Sequence, residues 1–255
     1  MSVDHHVQQQ FGAVAQTYVT SPVHARGADL PVLLRAAAVR PGELALDLGT
    51  AVGHTALAVA ERGAWVVGVD LTPEMLAQAT RLADERRLDN ICFVRGTVQE
   101  LPFPAESFDL VTSRYSAHHY STPRRMAEEV RRVLRPGGRF VLADTVAPED
   151  VALDTLINTV ETLRDRSHVR DHTIAQWLTM IAAAGLVPSL AWEWDVELEF
   201  EDWVARMRTP AHAVTTLRAL LTEASPEARQ TFRIAHGEQL TFCLKVAIIR
   251  AVRPD

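Results

Sequence analysis

The sequence has little cysteine, no long apolar run and no basic stretch, and each shortage excludes a class of protein. Its two cysteines, Cys92 and Cys243, lie in apolar, strand-like runs, so we expect buried thiols in a reducing compartment, with no disulfide and no metal site. No run approaches the length of a membrane span. The polar first ten residues lack the apolar core of a signal peptide, which predicts a cytoplasmic protein without membrane insertion.

The excess of acidic over basic residues argues against nucleic acid as a partner. The chain has 26 Lys and Arg against 32 Asp and Glu, a net charge of -6. Nucleic-acid binding calls for a basic stripe. The arginine-rich segments 81–87 and 124–135 are instead interspersed with acidic residues, which is typical of solvated helix faces. A small-molecule partner fits this composition better, and the oligomeric state stays open.

Strand-like and helical segments alternate five times in the first half of the chain. The predicted strands cover 44–48, 65–70, 91–94, 108–112 and 139–146. This alternation predicts an α/β fold with a doubly wound, mostly parallel sheet and helices on both faces. Two further strands, at 186–196 and 239–249, would bring the sheet to seven strands.

The remaining segments are mostly helical. Predicted helices over 7–18 and from Ser21-Pro22 to about Val39 form an N-terminal lid, residues 1–39. A largely helical cap covers 149–236, and no linker divides the chain. We therefore expect a single domain over 1–255, with the lid and the cap added to the sheet core.

The loop after the first predicted strand is a candidate ligand site. In Asp47-Leu-Gly-Thr-Ala-Val-Gly53 the glycines give the backbone freedom, but their spacing does not fit the dinucleotide fingerprint. The Asp47 carboxylate repels a pyrophosphate and suits a cation, such as an ammonium or a sulfonium. Asp70 ends the second strand, where it could accept both hydroxyls of a ribose; capping of the helix that begins at Pro73 is the alternative.

Five motifs in order resemble the class I S-adenosylmethionine-dependent methyltransferases. They are the loop 47–53, Gly68-Val-Asp-Leu-Thr-Pro-Glu-Met75, Leu101-Pro-Phe-Pro104, Ser107-Phe-Asp-Leu-Val-Thr112 and Val133-Leu-Arg-Pro-Gly-Gly138. The chain is similar to the small-molecule branch that includes the ubiquinone and menaquinone C-methyltransferases. The resemblance implies a Rossmann-like methyltransferase fold, S-adenosylmethionine as cofactor and S-adenosylhomocysteine as product.

By this resemblance the cofactor site is formed at the ends of the first three strands. Asp47, Gly49 and Gly53 line the methionine end, Asp70 binds the ribose, and Leu71 and Met75 flank the adenine. The remaining predicted cofactor-binding residues are Thr50, Ala51, Thr97, Val98 and Ser113.

Two positions depart from the family pattern. Ala51 stands where the family usually has a glycine, so its methyl group could loosen cofactor binding or shift the sulfonium. Gly96-Thr97 stands where an acid usually follows the glycine. The Thr97 hydroxyl can still accept one hydrogen bond, and the backbone N–H of Val98 can contact the ring.

The candidate catalytic residues follow the fourth strand, in Ser113-Arg-Tyr-Ser-Ala-His-His-Tyr120. We predict His119 as a substrate-facing base, with His118 and Arg114 as further candidates; for one histidine, packing or capping of the next helix is the alternative. In the polar segment 164–170, His168, a further catalytic candidate, and Arg170 are predicted to reach over the pocket toward an anionic or phenolic acceptor, unless the segment is only a solvated loop. Phe11 and Tyr18 would close the pocket from the other side.

Taken together, the motifs and the family resemblance predict an enzyme that transfers a methyl group from S-adenosylmethionine to an O, N or C nucleophile of a small organic molecule. Holding the nucleophile in line supplies most of the catalysis in such a transfer. The alternative is a protein that uses the cofactor non-reactively, as a cyclase or a partner-binding protein, and Ala51 and Thr97 motivate it. Apolar packing is the expected role of Trp177, Trp192, Trp194 and Trp203.

Overall fold

A single mixed sheet forms the centre of the fold, in a computed structural model that describes residues 3–21, 25 and 27–255. The strands are β1 (Leu44–Leu48), β2 (Trp65–Asp70), β3 (Ile91–Arg95), β4 (Phe108–Arg114), β5 (Leu134–Thr145), β6 (Val187–Glu199), β7 (Ala235–His236) and β8 (Leu240–Val252). The helices are α1 (Val3–Val19), α2 (Asp29–Ala37), α3 (His54–Ala60), α4 (Pro73–Glu85), α5 (Pro123–Val133), α6 (Val151–Arg164), α7 (Ile174–Ala183), α8 (Phe200–Arg206), α9 (Ala211–Thr222) and α10 (Pro226–Thr231).

The strand order is β3-β2-β1-β4-β5-β8-β6, and the first five of these strands are parallel. β8 runs antiparallel between β5 and β6, and the short β7 pairs with β8. The predicted doubly wound, mostly parallel α/β sheet is confirmed, and the last predicted strand does return to it. The chain order reverses at β1, which lies between β2 and β4. In such sheets ligands bind beyond the carboxyl ends of the strands at this reversal.

Both faces of the sheet are covered by helices, which explains why its central strands are so apolar. On one face, α2 and the alanine-rich α3 pack in a cluster that includes Leu33, Ala56 and Val66. On the other face, α5 and α7 pack in a cluster that includes Val130 and Trp177. Strands buried on both faces need near-continuous apolar runs, as in β1 and β2.

Some sequence expectations are corrected at the edges of the sheet. Cys92 is exposed, because β3 is an edge strand, whereas Cys243 is buried as expected. Trp192 lies on the opposite edge strand, β6, and is also exposed instead of packed. β5 begins at Leu134, five residues before the predicted start, because Leu134 already pairs with Phe108 of β4. The Pro136-Gly137-Gly138 segment then bulges out of the strand, with Gly137 at a φ of +73°, and pairing resumes at Arg139.

The lid helices differ from their predicted bounds. α1 starts at Val3 and is longer than predicted, and α2 covers only 29–37 of the predicted 21–39. The predicted start of that second helix at Ser21-Pro22 falls on residues 22–24 and 26, which lie outside the described residues. No helix in the described part of the chain is long and apolar enough to cross a membrane.

Candidate active site

Two adjoining cavities lie at the carboxyl ends of the strands, where the order reverses. The first encloses about 950 Å³ of empty space, part of it open to solvent. Most of the predicted cofactor-binding residues line it: Asp47, Gly49, Thr50, Ala51, Asp70, Leu71, Met75, Thr97 and Val98. Gly53 and Ser113 do not. α1 covers the cavity from outside through Asp4, Val7, Phe11 and Tyr18.

Asp47 is a buried carboxylate held by two hydroxyl groups. Thr50 Oγ1 donates to Oδ2 at 2.7 Å, and Thr112 Oγ1 donates to Oδ1 at 2.6 Å. Burial raises the pKa of Asp47 to about 6, although both hydrogen bonds oppose this shift. Thr112 belongs to β4, so the carboxylate is fixed between two neighbouring strands. A buried negative group at this wall suits a cationic ligand group.

Asp70 fixes the glycine-rich loop and still has capacity for a ligand. Its Oδ2 accepts from the backbone N–H of Ala51 and its Oδ1 from that of Thr72, both at 2.8 Å. Burial raises the pKa of this carboxyl. Each carboxylate oxygen can accept a second hydrogen bond, so two hydroxyls of a ribose can bind while the loop stays anchored.

The loop conformation explains which of its residues tolerate a side chain. Gly49 has a φ of +59°, and a Cβ there would lie 2.6 Å from the Cβ of Ser116. Gly53 has a φ of +85°, and a Cβ there would meet Ala79 and Phe93 at 3.2 Å, so this glycine serves packing outside the cavity. Ala51 has a φ of +48°, a left-handed conformation that is uncommon for alanine.

Two predicted cofactor residues make local hydrogen bonds. Thr97 lines the first cavity, and its hydroxyl accepts from the backbone N–H of Gln99 at 3.3 Å. Ser113 is fully buried behind the cavity wall, where its hydroxyl is 3.0 Å from Ser116 Oγ and 3.1 Å from the Tyr120 hydroxyl. Ser113 therefore supports the wall that Ser116 and Tyr120 form.

The second cavity encloses about 690 Å³ and shares a wall with the first. Four residues line both cavities: Phe11, Tyr18, Tyr115 and His119. The rest of its lining comes mainly from β8, β6, the end of α6 and α8. Tyr115 has a φ of +50°, and such left-handed side-chain-bearing residues concentrate at functional sites.

His119 presents an unprotonated ring nitrogen. Its Nδ1 lies 3.0 Å from the carbonyl oxygen of Ser167, which can only accept, so Nδ1 carries the hydrogen. Burial and the neighbouring His118 lower the pKa of His119 to about 4, so the ring is neutral at pH 7 and Nε2 keeps its lone pair. The edge-on ring of Phe11, with its centroid 4.9 Å away, holds His119 in place.

His118 forms an ion pair with Asp144, a residue that the sequence reasoning missed. The His118 Nδ1 is 2.6 Å from Asp144 Oδ1, and Oδ2 accepts from the backbone N–H groups of Ala117 and His118. Burial alone would lower the pKa of His118, but the carboxylate outweighs it and raises this pKa to about 9. Asp144 lies near the carboxyl end of β5, and this position in a parallel strand was the available signal.

Arg114 and His168, two predicted catalytic residues, are engaged elsewhere. Arg114 lines the first cavity but forms a buried bidentate pair with Asp29 of α2. His168 lines neither cavity; its Nε2 is 3.3 Å from Asn158 Oδ1, and its ring stacks on His118 with centroids 5.6 Å apart. Burial lowers its pKa far below the usual range. His168 thus packs behind His118.

Arg170, predicted to reach over the pocket with His168, is also engaged elsewhere. Arg170 pairs with Asp154 at 2.5 Å and lies outside the second cavity. The wall that the sequence reasoning missed is formed by Glu161, Trp203 and Arg206. Single charges and aromatic residues in amphipathic helices have no distinctive spacing, so no motif pointed to them. No group of three or more metal-ligating side chains is present among the described residues.

Known proteins similar to this chain include methyltransferases. Residues 46–142 match the family model for a methyltransferase domain. The uncharacterized methyltransferase YcgJ of Bacillus subtilis is 39% identical over 95% of this chain and 97% of its own. Its crystal structure superposes with a TM-score of 0.86 at 38% identity, covering 89% of this chain and 98% of that one. A demethylmenaquinone methyltransferase of Beutenbergia cavernae is 29% identical over 74% of this chain and 83% of its own.

Proposed function

Because this chain belongs to the class I S-adenosylmethionine-dependent methyltransferases, we propose that it methylates a small organic molecule held in the second cavity. The observation that carries the proposal is the wall common to the two cavities. Phe11, Tyr18, Tyr115 and His119 line both, so a methyl group at the end of the first cavity is adjacent to the second. Such adjacency is the main requirement of an in-line transfer.

The residues of the first cavity fit S-adenosylmethionine. Asp47 would hold the ammonium group, since it is a buried carboxylate without an ion-pair partner among the described residues. Asp70 would bind the ribose with the lone pairs that Ala51 and Thr72 leave free. Leu71, Met75 and Val98 supply an apolar site for the adenine, with Thr97 at its edge.

When bound, the cofactor supplies a methyl group on a sulfonium sulfur, and the C–S bond breaks as the bond to the acceptor forms. His119 Nε2 would accept the proton that an O–H or N–H acceptor releases. A hydroxyl that has gained a methyl group before losing its proton is a much stronger acid than imidazolium. A base whose pKa is about 4 is therefore sufficient when the proton leaves late. Burial, reinforced by the charge of His118, lowers the pKa of His119 and so keeps its ring neutral beforehand.

Calorimetry with S-adenosylhomocysteine tests the cofactor site. We expect binding to the wild type and a loss of about tenfold or more in Asp70→Asn, because a neutral amide accepts hydroxyl hydrogen bonds less strongly. Asp84→Asn, at an exposed position on α4, is the matched control and should bind normally. Absence of binding to the folded wild type overturns the proposal.

Transfer is tested with methyl-labelled S-adenosylmethionine and a metabolite extract. We expect label in a small-molecule product, and a slower reaction in His119→Gln with unchanged S-adenosylhomocysteine affinity. Binding without any labelled product would favour non-reactive use of the cofactor.

A further inference from the structure

The second cavity is lined by a cation, Arg206, whose side chain has no partner among the described residues. Arg206, in the last turn of α8, lines the cavity and is half-buried. Its side chain makes no hydrogen bond or ion pair within the described part of the chain. Burial, reinforced by the nearby charge of Arg164, lowers the pKa of Arg206. A guanidinium that is partly removed from water without a partner is costly unless a ligand compensates it.

The other charged groups around this cavity are already engaged. Arg164 pairs with Glu161 at 3.2 Å, donates to the carbonyl of Trp203 and stacks on the Trp203 ring at 4.7 Å. Asp165 accepts two hydrogen bonds from Ser167 through Oδ1. His118 is neutralised by Asp144. Arg206 is thus the cation available to an anion in this cavity, as far as the described residues show.

Glu161 contributes a second uncompensated group on the same wall. Its side chain is 7% exposed, and Oε2 accepts from Arg164 while Oε1 is buried with no hydrogen-bond partner among the described residues. The indole N–H of Trp203 is likewise buried without a partner there. Buried polar groups are rarely left unsatisfied, and those beside a cavity mark where ligand groups bind.

We propose that the methyl acceptor is a flat or apolar organic anion that also carries a hydrogen-bond donor, with its anionic group on Arg206 and its donor on Glu161 Oε1. The apolar part of the molecule would lie against Phe11, Tyr115 and Trp203, which line the same cavity. The inference rests on the proposed function and specifies its acceptor. A guanidinium binds carboxylate and phosphate in the same way, so the anionic group is either of these.

Calorimetry with three probes measures the contacts of the anion with Arg206 and of the donor with Glu161. Each titration is done with S-adenosylhomocysteine present and again without it. 4-Hydroxyphenylacetate has the anion and the donor, 4-hydroxyphenylacetamide lacks the anion, and 4-methoxyphenylacetate lacks the donor. We expect the wild type to bind the first about tenfold more tightly than either of the others, since a charged hydrogen bond is removed each time.

Variants assign these differences to residues. Arg206→Gln should remove the preference for the acid over the amide, while Arg208→Gln, exposed just beyond α8, should keep it. Arg206→Lys should keep part of it, which shows that the charge is what matters. Glu161→Gln should weaken the binding of 4-hydroxyphenylacetate and leave the affinity for 4-methoxyphenylacetate unchanged.

Equal affinities of the wild type for acid and amide would overturn the inference, as would equal effects of the two arginine variants. Absence of probe binding up to the solubility limit would also overturn it, and Arg206 would then turn to pair with the open oxygen of Glu161. Failure of S-adenosylhomocysteine to bind is a separate result, which would overturn the proposed function. A preference for the acid over the amide that depends on Arg206 would still demonstrate the anion site.

Discussion

At the scale of single residues, Asp47 combines its position in the wall of the first cavity with a cost in stability. Its carboxyl has a pKa of about 6 in the folded protein against an ordinary value of 3.8, so the ionised form is disfavoured by burial. Above pH 6 this burial destabilises the ligand-free fold, and protonation relieves the cost as the pH falls. Groups arranged for a ligand often carry such a cost.

We therefore predict that Asp47→Asn raises the free energy of unfolding of the ligand-free protein by about 1–3 kcal/mol above pH 6. The gain should shrink as the pH falls toward 3.8, because the wild-type carboxyl is then protonated in both states. Denaturant titrations at several pH values measure it. The same variant should bind S-adenosylhomocysteine more weakly.

Asp109→Asn is the control, because it should change the free energy of unfolding in the opposite direction. Burial alone would raise the pKa of Asp109, but hydrogen bonds from the Leu44 backbone N–H and from Arg135 lower it. Its substitution should destabilise the fold at neutral pH. A loss of stability in Asp47→Asn as well would show that the carboxylate is better compensated than its surroundings indicate.

Ala51 adopts the left-handed conformation that glycine favours, and this leads to a second prediction. Ala51→Gly removes a backbone strain of about 1–2 kcal/mol from the folded state. The greater entropy of glycine in the unfolded chain offsets about 0.5–1 kcal/mol of this gain, so the free energy of unfolding should rise slightly. Ala38→Gly is matched, because Ala38 has a φ of 45° and is remote from both cavities. Thermal melts should show similar gains in both variants.

Of these two alanines, Ala51 lines the first cavity and Ala38 does not, so only Ala51→Gly should change the affinity for S-adenosylhomocysteine. Calorimetry on the two variants separates a contact with the ligand from a general effect on stability. An equal change in Ala38→Gly would contradict the contact.

Most of the residues that line the first cavity could be predicted from the sequence, whereas the residues that the cap helices bring to the second cavity could not. Asp47 and Asp70 stand at the ends of successive parallel strands, and such ends always converge. Glu161 and Arg206 come from different helices, α6 and α8. Their meeting depends on how the helices pack, which no local pattern encodes. The same is true of Asp29, which pairs with Arg114 from 85 positions away.

At the scale of elements, α1 connects the two sides of the site. Gln8 Nε2 donates to the Leu71 carbonyl at 3.1 Å, beside the predicted adenine position, and Gln10 Nε2 donates to the Met207 carbonyl at 2.8 Å, beyond α8. His54 of α3 lies 3.1 Å from the Tyr18 carbonyl. Val14, Ala15 and Tyr18 also pack in an apolar cluster with Leu57 and Met75, so the position of α1 over the first cavity depends on apolar as well as polar contacts.

We predict that S-adenosylhomocysteine slows hydrogen exchange of the α1 amides. If the ligand binds only when α1 is closed, a concentration one hundred times the Kd should slow exchange about 100-fold. Amides of α7, which lies behind the sheet and lines neither cavity, are the internal control. Equal protection of both helices would indicate global stabilisation without closure of α1.

Element boundaries were less predictable than element types. The alternation of strands and helices reproduces the sheet, whereas β5 extends back through a Pro-Gly-Gly segment that turn chemistry marks as a break. That segment bulges out, with Gly137 at a φ of +73°, and β5 pairs with β4 on both sides of it, at Leu134 and again from Arg139. The turn residues therefore do interrupt the strand, and what local chemistry does not encode is the pairing before the interruption.

At the scale of the whole molecule, His118 connects the sheet to the segment that precedes α7. Its ring pairs with Asp144 of β5, and its carbonyl accepts from the backbone N–H groups of Val169 and Arg170 at 2.9 and 3.1 Å. The folded pKa of about 9 exceeds the ordinary 6.5. The contribution of the ion pair to stability is therefore complete below pH 6.5 and is lost as the pH rises through 9.

We predict that His118→Asn lowers the free energy of unfolding by about 2 kcal/mol near pH 6 and that this difference narrows toward pH 9 and above. Denaturant titrations of wild type and variant across this range provide the measurement. His212→Asn, at an exposed position on α9, should show no such narrowing. A constant difference at all pH values would mean that His118 contributes packing alone.

The position of β8 determines the order in which the sheet can close during synthesis. β8 is synthesised after both β5 and β6, yet it lies between them, and β6 pairs with no other strand among the described residues. Until β8 emerges, β5 has an open hydrogen-bonding edge and β6 has no partner. The nascent chain therefore exposes two strand edges throughout the synthesis of the intervening helices, and this interval is when aggregation or chaperone binding is most favoured.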